Sequence, residues 1–433
     1  MVLANGTEVD LGPLGRARVV SMIGQGGQGY VYEVARPTGE PLALKWYKKE
    51  SATTEQHAEM QQLVEFGSPH SRFLWPMSMA RADREPGFGY VMQLRHPRFL
   101  ELSYLLSNTD RDGRPLDVSF ASTIEICRQL SFSFLRLHAR GLCYRDISFG
   151  NVFFDPANGD VLICDNDNVG VDNGRGRVLG TPYFMAPEVV KDTTFRTMPN
   201  TDTDRHSLAV LLFYSLFLGH PLEGRRTDSG LRDAQWLLTH FGTEPVFCMH
   251  PTDDSNRPGD IVQQYWHIYP QFLRELFVHA FVTGIDNPGA RVTEGQWIKA
   301  MDRLRDDMVA CGSCRTTNFW DLAEPDRTCR SCGSALTPPY LFRIGRRTLA
   351  VSSLTTIRSD HLASGVDEPT TIGRVRQHPQ DPSRWGLVNA SDVAWSVTYQ
   401  AGSQHVLEPQ QTIEVLEGAR IQIRDATVDV RRP

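Results

Sequence analysis

Lysine is almost missing from this chain. Five lysines, at positions 45, 48, 49, 191 and 299, stand among 45 basic residues, and the rest are arginine. A lysine at 45 is therefore not drawn from background usage. No Lys/Arg block supplies the clustered basic face that non-specific phosphate binding needs, and the formal net charge of -6 speaks against a general nucleic-acid binder. Nor does any apolar run approach the roughly 20 residues required to cross a bilayer. Residues 1–10 lack the basic start and apolar core of a signal peptide. The expectation is a cytoplasmic protein with no membrane and no nucleic-acid partner.

Cysteine is scarce too. Of the 8 cysteines, Cys127, Cys143, Cys164 and Cys248 stand alone, while the other four form two Cys-x2-Cys pairs, which fits cytosolic metal binding better than a disulfide framework. One further absence is local: between Asp165 and Gly180 there is no Ser, Thr or Tyr. Control by phosphorylating the middle of that stretch has no acceptor to carry the charge. What remains, with 40% hydrophobic and 22% charged residues over 433 positions, is the composition of a globular protein of two or three domains.

The chemistry concentrates in Tyr144-Arg145-Asp146-Ile147-Ser148-Phe149-Gly150-Asn151, followed by Asp165-Asn166-Asp167-Asn168 at the end of an apolar run. An Asp and an Asn five positions apart on one loop can do two jobs. The Asp146 carboxylate can orient a hydroxyl nucleophile while the Asn151 amide oxygen ligates a hard divalent cation. Asp165 would hold the metal against nucleotide phosphates. Upstream, residues 19–23 and 30–34 alternate like two strands joined by Gly24-Gln25-Gly26-Gly27-Gln28-Gly29. Gly24, Gly26 and Gly29, with Val31 beyond, give a G-x-G-x-x-G-x-V pattern in which backbone N–H groups can approach phosphates without Cβ interference. Alone, this pattern reads equally well as a glycine-rich hairpin turn. Lys45 ends the next apolar run, where an ammonium would sit under the phosphates.

From residue 24 to residue 291 these motifs follow the order of the protein-kinase signature set, and the chain resembles a eukaryotic-like serine/threonine protein kinase. More narrowly, it is similar to bacterial kinases with Asp-Asn-Asp-Asn in place of Asp-Phe-Gly and a cysteine-rich module after the kinase domain. The resemblance implies an α+β, bilobal kinase fold over residues 1–310, with an N-lobe of about 1–94 and a C-lobe of about 95–310. It implies transfer of the γ-phosphoryl group of ATP, with Mg or Mn, to Ser or Thr hydroxyls of a protein substrate. It assigns Lys45 to the α and β phosphates, paired with a glutamate on a helix over residues 53–66. Glu59 is the better partner because Met60, Leu63 and Phe66 form an apolar face beside it; Glu55 is the runner-up, and a solvated helix face is the bland alternative. Residues 90–94 form the last N-lobe strand, with Met92 lining the adenine pocket and backbone groups near Gln93 and Leu94 recognising the base. An ordinary core strand would read the same.

Gly180-Thr181-Pro182-Tyr183-Phe184-Met185-Ala186-Pro187-Glu188 matches the end of the activation segment. By the resemblance, Thr181 contacts the catalytic Asp, Glu188 pairs with Arg291, and Asp204 ties down the catalytic loop through its backbone. Asp204 reads equally as a carboxylate favoured at a helix N-terminus. Three departures stand out. Tyr144 replaces the usual His, and an aromatic can still pack beneath the loop. Ser148 replaces a Lys, removing a charged hydrogen bond of about 1.5 to 3 kcal/mol, or roughly one to two decades in rate. Asp167 adds a carboxylate that either binds metal or serves as a turn residue. The rival readings are a nucleotide-binding scaffold and a kinase for a small molecule.

Beyond residue 310, Cys311, Cys314, Cys329 and Cys332 can complete a closed four-thiolate zinc site, expected as a ribbon over 311–338 that draws much of its folding energy from the metal, with iron or a redox pair of disulfides as the alternative. Residues 339–433 alternate in short stretches separated by turns, such as Ala401-Gly402-Ser403, and predict a small antiparallel β-sandwich. Its latter half faintly resembles a forkhead-associated domain, with Arg374 and Asn389 as candidate phosphate contacts; a sandwich used for packing or protein contacts is the alternative. Residues 220–260 are longer than a minimal kinase needs and read as either a docking insert or surface elaboration. The narrower family resemblance implies a von Willebrand A-domain protein and a metal-dependent protein phosphatase as partners.

Overall fold

The computed structural model describes every residue except 1, 84, 173–178, 195, 325–326, 364 and 401. Part of the hydroxyl-free stretch after Asp165, and residue 401 of the turn 401–403, thus lie outside the described residues. The chain divides into two compact units, one of residues 1–262 with 276–298, the other of 263–275 with 299–433. The segments expected as a ribbon and a sandwich both fall in the second unit. Among the described residues no helix is long and apolar enough to cross a membrane.

The first unit begins with a closed barrel of β1 (Glu8–Asp10), β2 (Arg16–Gln25), β3 (Gly29–Ala35), β4 (Leu42–Tyr47), β5 (Ser78–Ala82) and β6 (Gly89–Gln93), in the order β1-β2-β3-β4-β6-β5. Pairing of Val9 with Ala82 and Asp10 with Arg81 closes it, so no edge is left unpaired. The period of 2 along a strand decides the rest. Leu42, Leu44 and Trp46 of β4 enter the barrel core with Val19, Tyr32, Val34 and Val91. The alternate residues, Ala43, Lys45 and Tyr47, are buried on the other face. Helix α1 (Thr54–Phe66) starts where the Thr53 side chain accepts from the Gln56 N–H and ends at Gly67, whose φ of 72° stops the helix. Gln56, Met60 and Leu63, spaced at one helical face, are its buried residues.

The remainder of this unit is mainly helical. Phe120–His138 is capped by Ser119 and buried along most of its length, and it delivers the chain through Gly141, at φ 71°, into the loop carrying Asp146. The antiparallel pair Val152–Phe154 and Val161–Ile163 then brings Asp165 back beside that loop. Thr201–Phe217 opens with a capping box between Asn200 and Thr203 and is buried almost all round.

In the second unit a short hairpin, Met308–Ala310 with Thr317–Phe319, precedes two sheets. The larger has six strands, among them Leu341–Ile344, Trp395–Thr398, Arg420–Ile423 and Ala426–Arg431; the smaller has Thr356–Arg358, Thr371–Gln377, Trp385–Asn389 and Thr412–Glu414. Phe342, Val397 and Val428 of the first and Ile357, Val375 and Leu387 of the second share one buried cluster, as two sheets packed face to face require. Asn389 is held inside the sandwich. It is fully buried, its amide donates to the carbonyls of Val393 and Leu407, and its oxygen accepts from Ser391. Arg374, in contrast, is exposed.

Candidate functional site

Asp146 sits in a loop that the backbone alone would not favour. Arg145, just before it, has a φ of 73°, a left-handed setting that is uncommon for a residue with a Cβ. The structure over-determines it from below. Asp204, in the first turn of Thr201–Phe217, accepts from the backbone N–H of Tyr144 at 2.5 Å and of Arg145 at 2.9 Å. His138 in turn reaches Asp204 at 3.0 Å through Nε2 and Glu294 at 2.8 Å through Nδ1. Burial by itself would lower the His138 pKa, but its hydrogen bonds to Asp204 and Glu294 outweigh that and lift it to about 9. Tyr144 is buried where the family usually has His, its ring edge-on to Phe134 and its hydroxyl donating to the Cys164 carbonyl.

The Asp146 carboxylate has two neighbours. Its Oδ1 accepts from the Thr181 hydroxyl at 2.6 Å, and its Oδ2 lies 3.3 Å from Asn151 Nδ2, which also donates to the Asp146 carbonyl at 2.8 Å. With its nitrogen so engaged, Asn151 keeps its amide oxygen for a hard cation. Asp165 adopts a left-handed conformation, φ 54°, and its side chain is 45% exposed, enough to accept a metal ligand's role. Carboxylate and amide oxygens are the donor set that Mg²⁺ prefers.

Lys45 departs from expectation. Its ammonium lies 2.8 Å from Asp165 Oδ1 and 2.8 Å from Asp167 Oδ2. Burial would lower its pKa, yet the two carboxylates, Asp167 foremost, hold it above the usual lysine value. Glu59 and Glu55 are both exposed, and the ion pairs of Lys45 among the described residues are those to Asp165 and Asp167. The reason is rotational: the helix buries positions 56, 60 and 63, so Gln56 takes the inward place, with its amide 3.4 Å from the Tyr47 hydroxyl and 3.5 Å from the Asp167 carbonyl. Asp167 lies against Lys45 and lines a cavity with Gln28, Gln56 and Glu59. Its side chain is wholly buried and also accepts from the Tyr47 hydroxyl at 2.8 Å. Asn166, where a Phe was missed, is equally buried and donates to the Leu74 carbonyl at 2.9 Å.

The glycine loop closes over the same run. Gln28 donates to Asn168 at 3.1 Å, Gly26 N–H bonds the Gly29 carbonyl, and Lys48 donates to the Gly26 carbonyl. A Cβ at Gly29 would lie 2.6 Å from the Trp46 carbonyl, whereas one at Gly26 would meet nothing and one at Gly24 only Val31 at 3.8 Å. Gly29 is therefore demanded by strand packing, and Gly26 is free for a ligand's approach. Val31 is half-buried, Met92 is buried opposite Ala43, Gln93 is exposed and Leu94 half-buried just beyond β6. Farther off, Arg291 donates to both Glu188 oxygens at 2.7 Å.

Cys311 and Cys332 sulfurs stand 3.7 Å apart, those of Cys314 and Cys329 3.5 Å, and all four lie within 4.8 Å of one another. A tetrahedron of Zn–S bonds of about 2.3 Å has edges of about 3.8 Å, so the thiols fit zinc. The two knuckles match in backbone as well. Arg315 N–H bonds the Cys311 carbonyl and Gly333 N–H the Cys329 carbonyl, both from a positive φ. Ser313 and Ser331 N–H groups point at the first sulfur of each pair.

Sequence reasoning missed His138, Glu294, Gln56 and Tyr47. Tyr47 had a signal, lying two residues from Lys45 on one strand face, and Gln56 had its helical spacing to Met60. His138 and Glu294, separated by 156 positions, had none.

A family model described as protein kinase domain matches residues 17–252, more than half of the chain. The chain is similar to the probable serine/threonine-protein kinase zyg-1 of Caenorhabditis elegans, 27% identical over 206 residues, covering 46% of this chain and 27% of that protein. It is 26% identical to serine/threonine-protein kinase TIO of Arabidopsis thaliana over 210 residues, 47% of this chain and 15% of that one. Over 92 residues it is 36% identical to serine/threonine-protein kinase 10-A of Xenopus laevis, 20% of this chain and 10% of that one. The chain thus spans about a quarter, or less, of the length of these relatives.

Proposed function

This chain belongs to the protein kinase family, and we propose on that premise that it transfers the γ-phosphoryl group of ATP to Ser or Thr hydroxyls of a protein substrate. The observation that carries the reading is the setting of Asp146, whose carboxylate is held between the Thr181 hydroxyl and the Asn151 amide. A carboxylate so fixed can accept the proton of a hydroxyl nucleophile and orient it for in-line attack. Lys45 supplies a buried cation for the nucleotide phosphates, and the open Gly26 leaves room for them beneath the glycine loop. Asn151 and Asp165 would hold Mg²⁺ or Mn²⁺, which neutralises charge on the transferred group. Most of the rate then derives from positioning and preorganised charge.

The four cysteines would hold one structural zinc, with no open position for chemistry. A site of four zinc thiolates needs its cysteines reduced, which supports a reducing, cytosolic setting. The Asp165 to Asn168 run with the four-cysteine segment supports the bacterial subgroup, and through that resemblance alone a signalling set with a von Willebrand A-domain protein and a metal-dependent phosphatase.

The test is incubation of the purified chain with Mg²⁺ or Mn²⁺ and γ-labelled ATP beside D146N, with labelled positions mapped by mass spectrometry. Label on Ser or Thr that falls by roughly 10²- to 10⁴-fold in the variant supports the proposal. Nucleotide binding without transfer under either metal would replace it with a scaffold.

A further inference from the structure

Protein kinases of the pattern expected from the sequence hold the nucleotide-binding lysine with a glutamate from the neighbouring helix. Here that helix offers Gln56 at its buried position and leaves Glu59 in solvent. The Lys45 ammonium is nevertheless paired, with Asp165 on one side and Asp167 on the other, each at 2.8 Å.

The two carboxylates are not equivalent. The Asp165 side chain is 45% exposed, that of Asp167 0%. When a divalent cation draws on Asp165, the buried partner left to Lys45 is Asp167. Asp167 is itself anchored, since the Oδ2 that meets Lys45 also accepts from Tyr47, on the same face of β4. Tyr47 is touched in turn by Gln56, which also reaches the Asp167 carbonyl. The Asp167 Oδ1 has no hydrogen-bond partner among the described residues. Strand, helix and Asp-Asn-Asp-Asn run thus meet around one buried carboxylate. An ammonium buried this deeply needs such a fixed partner, because an unpaired charge there is costly.

We propose that Asp167 is the positioning residue for Lys45, taking the place a helix glutamate was expected to fill, so that the lysine is set for the nucleotide phosphates by the same run that supplies the metal ligand Asp165. The inference rests on the kinase reading above, and it deepens it. Gln56 serves as a neutral brace, and a swing of the helix would not by itself make or break the lysine's ion pair.

The experiment compares wild type, D167N, E59Q and D167N/Q56E in the full chain, by phosphotransfer kinetics and by affinity for a fluorescent ATP analogue in buffer without Mg²⁺ or Mn²⁺, where no catalytic metal contributes and the zinc site is left intact. D167N is expected to weaken metal-free nucleotide affinity and to lower kcat, each by roughly ten- to a hundredfold. Placing a carboxylate at the buried helix position, in D167N/Q56E, should recover a large part of both. Thermal melting of K45M, D167N and K45M/D167N supplies an activity-independent reading. The double variant should be clearly more stable than the sum of the single losses, and a D167N chain that folds only when combined with K45M supports the pairing equally. A larger loss from E59Q than from D167N overturns the proposal. So does a D167N chain whose only change is a higher Mg²⁺ requirement, which would make Asp167 a metal ligand, and so does additive melting. If wild type binds nucleotide but transfers nothing, the kinase reading fails, while metal-free affinity and melting still decide the role of Asp167.

Discussion

The Thr181 hydroxyl donates to Asp146 Oδ1 across 2.6 Å, joining the end of the activation segment to the carboxylate that would take the substrate's proton. A charge-assisted bond of this kind fixes one oxygen, while the other, 3.3 Å from Asn151 Nδ2, keeps a lone pair for a hydroxyl nucleophile. Replacing Thr181 with Val keeps the shape and removes the donor. Phosphotransfer is expected to fall by roughly one to two decades, with melting little changed. A T181V chain as active as wild type would sever this link.

The bidentate Arg291–Glu188 pair carries stability. The Arg291 side chain is buried and also donates to the carbonyls of Gly284 and Asp202. E188A leaves that guanidinium without its carboxylate and should cost about 3 to 5 kcal/mol, read as a lower denaturant midpoint. R291K should not restore the wild-type value, because a point-charge ammonium cannot reproduce the fork.

His138 gives stability a pH dependence of known sign. Its folded-state pKa, about 9, lies above the ordinary value of 6.5. Its contribution is therefore complete below about pH 6.5 and is lost as pH rises through about 9, a total on the order of 3 kcal/mol. Denaturant titrations between pH 6 and 10 should show the decline, and H138N should flatten it. A wild-type profile that is flat across this range would remove the charged His138 from the account.

Glycines of the same loop should separate by variant. A Cβ at position 29 meets the Trp46 carbonyl at 2.6 Å and nothing at position 26. G29A is expected to lower stability by about 1 to 3 kcal/mol. G26A should melt like wild type and weaken only nucleotide binding. Equal melting shifts for the two variants would contradict this division.

Metal analysis should find about one zinc per chain, held by thiolates alone. Strong chelation, or C329S, should remove it and lower the melting temperature, since the segment around the cysteines buries only a few apolar side chains, Met308, Val309, Phe319, Trp320 and Leu336. Unchanged melting after verified metal loss would show that this segment folds without it.

Much of this molecule is written locally. The order of motifs from Gly24 to Arg291, the two Cys-x2-Cys pairs and the alternation after residue 340 all sit within short windows, where turn chemistry, metal spacing and strand period leave few options. Which residues meet across the fold is another matter. The rotation of helix α1 decides between Gln56 and Glu59, and it depends on how Met60 and Leu63 pack rather than on the charge pattern. The role of Asn389 was illegible for the same reason: a buried amide that satisfies two carbonyls and an amide exposed to a ligand have one sequence signature. The tie from Glu294 through His138 to Asp204 joins three separate segments, and no local rule brings them together. The sequence by itself determined the chemistry on offer, namely an acid, an amide, a lysine and four thiols in their loops. Only the tertiary structure decided that Asp165 and Asp167, and not the exposed Glu59, lie against Lys45, because the partners of a buried ammonium are the carboxylates that packing brings within reach.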